Sequence, residues 1–349
     1  MNTILQDSPA VTPGRPMAYL LMGVTDAGRA TTLYGNWHEP PRLVMQGTAS
    51  FLAQLADLPW DAQAIYFGDE RLTLNARMLR APCINFLADA DLYRRALHQA
   101  AAFVDALNVP CFNHPRAIQR TTRDGIHELL QGIPGLHVPK TVRANAATLA
   151  QLQSAMAQAG IQYPVLVRMC GGHGGEDTAL VRGPAGWDAI NPLPWGGRDV
   201  YLTQFVDYRD ADGHYRKTRI VVAGDGIFNR HHIVSDEWMV HAKNRLAGSR
   251  EEEQAYLENF ATGTLPHIAG VVQEITQRIG LDYYGIDASI RPDGSVLLFE
   301  ANACMNTLVN IAPAGPSIWD QVIQDIAVQL AATLADSTAW RTSNRAPAP

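Results

Sequence analysis

The chain has 349 residues, of which 47% are hydrophobic and 18% charged, and its formal net charge is −6. This length and composition are typical of a soluble globular protein with two or three domains. The negative charge argues against nucleic-acid binding, because nucleic-acid-binding surfaces carry a basic stripe. The sequence contains no apolar run of bilayer-spanning length and no signal-peptide pattern at its N-terminus.

The four cysteines are scattered and form no CxxC pair, at Cys83, Cys111, Cys170 and Cys304. We therefore expect a reduced, cytoplasmic compartment. The segments up to about residue 16 and from about residue 337 are rich in Pro, Ser, Thr and Ala, so we predict frayed ends there.

The first third of the chain alternates strand-like and helix-like segments. Apolar runs predict strands at 18–24 and 64–67, and helical spacing predicts a helix at 46–58. Asp89 is expected to cap a further helix whose apolar stripe begins at Leu92. This alternation predicts an α/β unit with a mostly parallel sheet.

A second unit begins near Thr121 and is richer in strands. Asn145 and Gly160 are the expected N-cap and C′ residues of a helix over 146–159. Alternating patterns then predict antiparallel strands at 164–169, 178–182, 200–206, 215–223 and 226–234. Helical patterns follow at 250–262, at 267–279 and from Ser317 onward.

Residues 285–302 predict a hairpin that carries three oxygen-bearing side chains. Asp293-Gly294 between two apolar runs predicts a two-residue turn, for which both residues need positive φ. Closure about this turn places Asp287 opposite Glu300, and Asn302 shares the face of Glu300. Such oxygen ligands suit Mg²⁺. The alternative is a hairpin with solvated acids; it fits Asp293 but not Glu300, which ends an apolar strand.

A strand that ends in Arg168 runs into the glycine-rich sequence 170–175. Its glycines, Gly171, Gly172, Gly174 and Gly175, would let the backbone approach an anion closely. Arg168 could bind phosphate through its fork of donors. A flexible hairpin loop with an exposed Arg168 is an equally good interpretation of this segment alone.

The segment 200–207 reads as a strand that becomes a linker. Its extended backbone could meet a flat base, and acids at 207, 210 and 212 could bind ribose hydroxyls; a solvated acidic turn is the simpler interpretation.

Lys217 and Arg219 share one strand face, which suggests an anionic partner, although a solvated strand face is the alternative.

Zinc and cysteine chemistry are disfavoured. The spacing of His231, His232 and His241 is poor for zinc, so packing or substrate contact is the better interpretation. Cys170 and Cys304 lack a readable base partner and are expected to pack as small residues.

Taken in order, these motifs resemble the ATP-grasp superfamily over roughly residues 110–310. Pro164 to Arg168 before the glycine loop, the segment 203–207, and an Asp followed by Glu-x-Asn are the elements of the resemblance. The Asp, Glu and Asn motif is the most specific of them. The resemblance implies an α/β and α+β ATP-grasp fold with an N-terminal Rossmann-like domain over 1–120. It further implies a central subdomain with a glycine-rich lid over 121–206, a C-terminal subdomain with the metal site over 207–336, and a flexible tail over 337–349.

The resemblance also implies a set of site residues. Those for the nucleotide are Arg123, Arg168, Gly171, Gly172, Gly174, Gly175, Gln204, Phe205, Val206, Asp207 and Lys217. The metal ligands are Asp287, Glu300 and Asn302, with two Mg²⁺ ions expected and Mn²⁺ as a substitute. The catalytic candidates are Arg219, Lys243 and Arg291. The D-alanine–D-alanine ligase branch has an Arg two residues before the metal Asp, where this chain has Gly285, so Arg219 or Arg291 is expected to replace it.

The function implied by the resemblance is that of an ADP-forming carboxylate–amine ligase. Such an enzyme uses ATP to phosphorylate a small carboxylate, and an amine then attacks the acyl phosphate. The substrates would be amino-acid-like or peptide-like, and a homodimer is expected from the family. A small-molecule kinase on the same fold and a non-catalytic ATP-binding module are the alternatives.

Overall fold

The structure is a computed structural model, and it describes most of the chain from residue 16 to residue 341. The described residues are 16–28, 31–33, 42–44, 46–51, 60–69, 80–172, 175, 177–310 and 316–341. The predicted N-terminal frayed end up to residue 15 lies outside them.

The N-terminal unit is built on a parallel four-stranded sheet. Its strands are β1 (Met17–Gly23), β4 (Asp61–Phe67), β5 (Cys83–Asn85) and β6 (Cys111–Phe112), in the order β4-β1-β5-β6. A separate antiparallel pair is formed by β2 (Thr31–Leu33) and β3 (Arg42–Val44). The parallel sheet confirms the prediction for this unit.

Two predictions about helices in this unit are corrected. Residues 46–51 form a turn and a bridge between Thr48 and Leu87 instead of a helix, and 52–59 lie outside the described residues. Helix α1 (Arg94–Leu107) begins after Tyr93, not after Asp89. Asp89 instead accepts hydrogen bonds from the N–H groups of Asp91 and Leu92, since its side chain closes the preceding turn.

Two short helices lead from this unit to the rest of the protein. They are α2 (Pro115–Gln119) and α3 (Arg123–Leu130). Thr122 is the N-cap of α3 and accepts a hydrogen bond from the Gly125 N–H. Arg123 is therefore the first helical residue, next to the positive end of the helix dipole.

The central sheet is antiparallel and has the order β10-β9-β11-β8. Its strands are β8 (Thr141–Asn145), β9 (Val165–Met169), β10 (Thr178–Val181) and β11 (Asp199–Gln204). Helix α4 (Leu149–Gln158) packs on it through Leu152 and Met156. Thr148, not Asn145, is the N-cap, because Thr148 and Gln151 form a capping box. Gly160 has the positive φ of a C′ glycine, as predicted.

The C-terminal sheet has five strands in the order β13-β12-β14-β15-β7. They are β7 (Leu136–His137), β12 (Tyr215–Ala223), β13 (Gly226–Ser235), β14 (Tyr283–Ile290) and β15 (Val296–Asn302). All neighbours are antiparallel except β7 and β15, which are parallel. Strand β7 comes before the central sheet in the chain. It nevertheless pairs with β15 of the C-terminal sheet, so residues 136–137 belong to that sheet.

Three helices cover this sheet. Helix α5 (Arg250–Asn259) continues through a π-helical turn (Phe260–Thr264) into α6 (Leu265–Ile279), where the sequence predicts two separate helices. Helix α7 (Asp320–Ala335) begins three residues later than predicted, because Ser317 and Asp320 form a hydrogen-bonded turn before it. One buried apolar core runs continuously through the N-terminal and C-terminal units, whereas the central sheet has its own core.

The hairpin between β14 and β15 is longer at its tip than predicted. Ile290 pairs with Val296, so the loop has five residues, 291–295. Only Gly294 has a positive φ, and Asp293 accepts hydrogen bonds from the Ser295 N–H and hydroxyl. The expected two-residue turn is therefore wrong, but the assignment of Asp293 to turn formation is confirmed.

The predicted tail from residue 337 is ordered at its start. The Trp340 side chain is 1% exposed, stacks on Trp60 and meets the edge of Phe112. The predicted flexible tail is therefore corrected for residues 337–341, whereas 342–349 lie outside the described residues.

Taken together, the sheets and helices confirm the predicted class of an α/β unit followed by α+β units. Within the described residues no helix is long and apolar enough to cross a membrane. The predicted cytoplasmic location and homodimer stay predictions.

Candidate active site

Two carboxylates face each other across β14 and β15. Asp287 is the direct register partner of Glu300, as the sequence predicts. Asp287 is buried, and Glu300 is reached from a cavity of about 200 Å³ that both residues line. Asn302 lies two residues further along β15, and its amide donates a hydrogen bond to Glu300. The three predicted metal ligands therefore meet at one wall of one cavity.

Each carboxylate is paired with cations from other elements. Arg219, opposite Asp287 on β12, donates from Nε and Nη2 to the two carboxylate oxygens at 2.6 and 2.9 Å. Lys217 Nζ lies 3.1 Å from Asp287 Oδ2, and Arg123 Nη2 lies 2.8 Å from Glu300 Oε2. Burial raises the pKa of Asp287, but Arg219 and Lys217 outweigh it and leave the pKa well below its usual range. Asp287 is thus ionised, and both acids lie where they could accept a hard cation.

Arg168 is the cation of this group that lacks a described carboxylate within ion-pair distance. It lies on β9 and lines the cavity opposite the acid pair. Burial and the neighbouring Arg123 lower the pKa of Arg168 to about 9. A buried, charged guanidinium that no carboxylate of the described residues pairs with favours binding of an anionic ligand.

The glycine loop lies between the N-terminal and C-terminal units. Gly171 and Gly172 line the cavity, and Gly171 has a φ of +72°. A Cβ at Gly171 would lie 2.7 Å from Leu92 Cδ2, and one at Gly175 would lie 2.6 Å from Met239 Sδ. The loop is therefore in close contact with both units, as expected for a segment that covers the cavity. Gly174 lies outside the described residues.

Part of the cavity wall is a cluster of mainly apolar side chains. Its members are Phe205, Val206, Tyr208, Trp238 and Val240. Phe205 and Trp238 meet edge to face with centroids 5.7 Å apart. This apolar cluster suits a flat ring, whereas the acid pair suits phosphates and metal.

The predicted linker residues divide into two groups. Phe205 and Val206 line the cavity, but the polar groups of Gln204 are engaged within the protein. Gln204 Oε1 accepts from the Gln162 N–H, and its amide donates to the carbonyl groups of Pro164 and Phe205. Gln204 thus fixes the linker, and Phe205 and Val206 offer the contact surface.

The acids that follow the linker are used locally. Asp207 accepts a hydrogen bond from the Arg209 N–H, and Asp210 and Asp212 pair with Arg216. Asp207 does not line the cavity, so its position gives no support to the predicted role in nucleotide binding. The alternative of an acidic turn describes this segment better.

The three predicted catalytic cations lie in different places. Arg219 lies at the acid pair and also donates to the Asn306 carbonyl at 3.0 Å. Arg291 is exposed in the hairpin loop, four residues beyond Asp287, and does not line the cavity. Lys243 lies in a one-turn 3₁₀ helix (Ala242–Asn244) that lines a separate, open pocket with Gly175 and Met239. The structure therefore brings only Arg219 to the acids.

Gly285 explains why the cation must come from elsewhere. A Cβ at this position would lie 2.6 Å from Met305 Sδ, so the space of a larger side chain is filled by Met305. Arg219 approaches the same acid from the neighbouring strand instead.

The described histidines are not clustered in the way of a metal centre. No group of three or more His, Cys, Asp or Glu side chains among the described residues could hold a metal ion. His231 lies opposite Arg219, and burial together with Arg219 lowers its pKa well below the usual value. His232 bonds to Thr218 and stacks on Tyr256, so it has a packing role.

The cysteines are poor nucleophiles. Burial raises the pKa of the Cys170 thiol to about 12 and that of the Cys304 thiol well above its usual value. Cys304 donates from its N–H and thiol to Asn302 Oδ1. The expectation that these residues pack rather than react agrees with their surroundings.

The acid pair fits a hard divalent cation by its donor chemistry. Two carboxylates and an amide oxygen on one cavity wall are the ligands that Mg²⁺ prefers, together with phosphate oxygens. Arg123, Lys217 and Arg219 now neutralise these acids. A metal cation bound to the acids would free these three side chains to contact an anionic ligand in the same cavity.

Sequence reasoning identifies Arg168 but misses two neighbouring polar side chains of the central sheet, Arg143 and Tyr201. Arg143, Tyr201 and Arg168 are register partners on β8, β11 and β9, and Asp91 from the N-terminal unit contacts the first two. Alternation along each strand could have placed Tyr201 and Thr203 on one face. The pairing with Asp91 has no signal in the sequence.

Comparison with known proteins gives structural likeness without sequence likeness. No family model matches the sequence, and no curated protein is similar to it at a significant level. The fold is similar to an ATP-grasp RimK domain protein from Sphaerobacter thermophilus, with 19% identity, a TM-score of 0.46, and 79% of this chain and 89% of that one covered. It is also similar to the VanG D-Ala:D-Ser ligase from Enterococcus faecalis, with 12% identity, a TM-score of 0.48, and 91% and 99% covered.

A third similar structure is the carboxyaminoimidazole ribonucleotide synthase from Aspergillus clavatus complexed with ATP. Its identity is 13%, its TM-score 0.47, and the match covers 84% of this chain and 71% of that one. These similar proteins are ATP-grasp ligases, the class that the sequence motifs resemble. Since all three TM-scores are below 0.5, the function of this chain has to be argued from its own residues.

Proposed function

We propose that the chain is an ATP-dependent ligase of the ATP-grasp type. It activates a small carboxylate as an acyl phosphate and joins it to an amine, with release of ADP and phosphate. The observation that carries this proposal is the facing pair Asp287 and Glu300 in one cavity with Arg123, Arg168 and Lys217.

The shape and charge of the cavity support ATP as the ligand. The adenine ring would lie at the apolar cluster, between the linker at Phe205 and Val206 and the side chain of Trp238. The triphosphate would extend toward Arg168 and the acid pair. The glycine loop would cover the phosphates with its backbone N–H groups and exclude water, which protects an acyl phosphate from hydrolysis.

The metal ligands in this proposal are Asp287, Glu300 and Asn302. When bound, Mg²⁺ or Mn²⁺ supplies Lewis-acid stabilisation of the phosphate charge. Arg123 and Lys217 would then orient the phosphates. Arg219, next to Asp287, would orient the carboxylate that attacks the γ-phosphorus. Catalysis by these residues would consist of alignment and electrostatic stabilisation.

The test is an activity screen with a matched pair of variants. Purified protein is incubated with ATP, Mg²⁺ and pools of carboxylates and amines, and both ADP and inorganic phosphate are measured. We expect equal amounts of ADP and phosphate that depend on both substrates. ADP without phosphate would identify a kinase, and MgATP binding without ADP would identify a non-catalytic module.

The variant that tests the acid pair is Glu300→Gln. It should lower turnover by about 100-fold or more, because metal stabilisation of transferred phosphate is worth several kcal/mol. Glu258→Gln makes the same chemical change on the exposed face of α5, where Glu258 only accepts from Gln254, and should leave turnover unchanged. Full activity of the Glu300→Gln variant would contradict the assignment.

A further inference from the structure

One row of side chains crosses the cavity face of the central sheet. Tyr201 on β11 pairs in register with Arg143 on β8 and with Arg168 on β9, and Arg168 pairs with Thr178 on β10. Directly opposed residues project from the same face, so these four side chains lie side by side. Tyr201, Arg168 and Thr178 line the cavity.

Asp91 of the N-terminal unit binds two members of this row. The Tyr201 hydroxyl lies 2.9 and 2.7 Å from the two carboxylate oxygens of Asp91. Arg143 Nη2 donates to Asp91 Oδ1 at 2.5 Å and also to the Tyr201 hydroxyl oxygen. Asp91 therefore accepts from two strands of the central sheet at once.

A second contact supports the same junction. Asp199, at the start of β11, accepts from Arg143 and from Arg94 of helix α1. We call Asp91, Arg94, Arg143, Asp199 and Tyr201 the latch. Next to it, Leu92 contacts Gly171 of the glycine loop, so the latch joins the N-terminal unit to the part of the central sheet that covers the cavity.

Arg168 depends on its strand for position. The carboxylates of Glu300, Asp177 and Asp287 act on Arg168 through charge and not through a hydrogen bond, so the position of its strand sets how Arg168 meets them. Its neighbour in register is Tyr201, the residue that Asp91 holds. A shift of Tyr201 would therefore move Arg168 relative to the acid pair.

We propose that Asp91 is a positioning residue for the nucleotide site. By binding Tyr201 and Arg143 it sets the position of the row, and through the row it sets the position of Arg168 over Asp287 and Glu300. The N-terminal unit thereby controls MgATP affinity through the central sheet. This inference rests on the proposed function, because it takes MgATP as the ligand of Arg168.

A double-mutant cycle tests the route through Arg168. The dissociation constant of MgATP is measured by calorimetry for the wild type, Asp91→Asn, Arg168→Met and the double variant. We expect Asp91→Asn to weaken binding about fivefold in the wild-type background and less than twofold in the Arg168→Met background, because contacting residues in one network are not additive. Equal losses in the two backgrounds would overturn the proposal.

Two further variants separate positioning from general stability. Tyr201→Phe removes only a hydroxyl, keeps the ring in place and should reproduce the fivefold loss, so it carries the test if Asp91→Asn does not fold. Asp105→Asn removes a comparable ion pair with Arg116 outside the cavity and should leave MgATP affinity unchanged. An unchanged affinity of the Tyr201→Phe variant would contradict the role of Asp91.

MgATP binding by the wild type distinguishes failure of the proposed function from failure of the proposed role of Asp91. If the wild-type protein binds no MgATP, the proposed function is overturned and the role of Asp91 with it. If the wild type binds MgATP and the Asp91 and Tyr201 variants bind it equally well, only the role of Asp91 is overturned.

Discussion

The N-terminal unit contacts the rest of the protein at two junctions of different character. One is the latch to the central sheet, whose outer ion pair is partly exposed: the Arg94 and Asp199 side chains are 50% and 28% exposed. The other is the contact with the C-terminal sheet, where Asn113 and Asp282 are each 1% exposed. We call the second group, Asn113, Asp282, Tyr283, Trp340 and Arg341, the buried junction.

The buried junction contains a dense group of hydrogen bonds. Asn113 Oδ1 accepts from the N–H groups of Asp282 and Tyr283, and its amide donates to the Tyr283 carbonyl. Asp282 in turn accepts from the N–H groups of Asn113 and Arg341. Buried hydrogen bonds without competing water fix one geometry, whereas exposed ion pairs contribute little and are screened by salt. The comparison indicates that the N-terminal unit is held more firmly to the C-terminal sheet than to the central sheet.

The largest effect is expected from Trp340, which closes the buried junction. Trp340→Ala should lower the free energy of unfolding by about 3–5 kcal/mol, because it leaves a cavity against Trp60 and Phe112. The measurement is urea denaturation followed by circular dichroism. Val328→Ala, on the 64% exposed side chain of α7, is the control and should change it by less than about 0.5 kcal/mol. A loss below about 1 kcal/mol for Trp340→Ala would mean that the junction is not tightly packed.

An intermediate effect on the free energy of unfolding is expected from the ionisation of Asp282 as the pH changes. Burial raises the pKa of Asp282 from 3.8 to about 6, although the N–H groups of Arg341 and Asn113 oppose the shift. The unfolded chain therefore ionises this carboxyl first. Its contribution to stability is complete below about pH 4 and is lost as the pH rises to about 6, by on the order of 2 kcal/mol.

The readout is the difference between the wild type and Asp282→Asn at pH 4.5, 5.5 and 6.5. Asp287 has a lowered pKa and contributes with the opposite sign, but it is common to both proteins and cancels in the difference. The wild type should lose stability relative to the variant as the pH rises. Parallel curves would show that Asp282 titrates normally.

The smallest effect is expected in the latch. Arg94→Gln should change the free energy of unfolding by less than about 0.5 kcal/mol, because its partner Asp199 keeps Arg143 and Asn145. Addition of 0.5 M salt, measured in parallel, should reduce even this difference. A loss above about 1 kcal/mol would place the latch in the same class as the buried junction.

In the hairpin, the sequence predicts the correct pairing of two residues from a turn of the wrong length. The sequence predicts the pairing of Asp287 with Glu300 from a two-residue turn, and the pairing is confirmed. The actual loop is longer, which shifts the register by one residue, and a bulge between Asp287 and Ala288 shifts it back. The requirement that both acids face the cavity is met by two compensating irregularities, and neither has a clear sequence signal.

The sequence predicts further cationic site residues only as candidates, without showing which of them meet. Arg123, Arg168 and Lys217 were named from motif order, and the structure brings all three to one cavity. Arg291 was predicted to replace the Arg missing at Gly285, but the strand residues 288–290 separate it from Asp287 and place it in the hairpin loop. Closeness in sequence does not predict closeness in space where a strand intervenes.

The sequence by itself determined most of the longer strands, the helix ends at Gly160 and Gly280, and the acid pair, because these depend on neighbours within about twenty residues. Only the tertiary structure decided which charges meet. Asp287 is paired with Arg219, 68 residues away, Tyr201 with Asp91, 110 residues away, and Asp282 with Asn113, 169 residues away. Sheet register and the packing of the units bring such partners together. Each hydrogen bond or ion pair becomes strong only where the folded core excludes water around it.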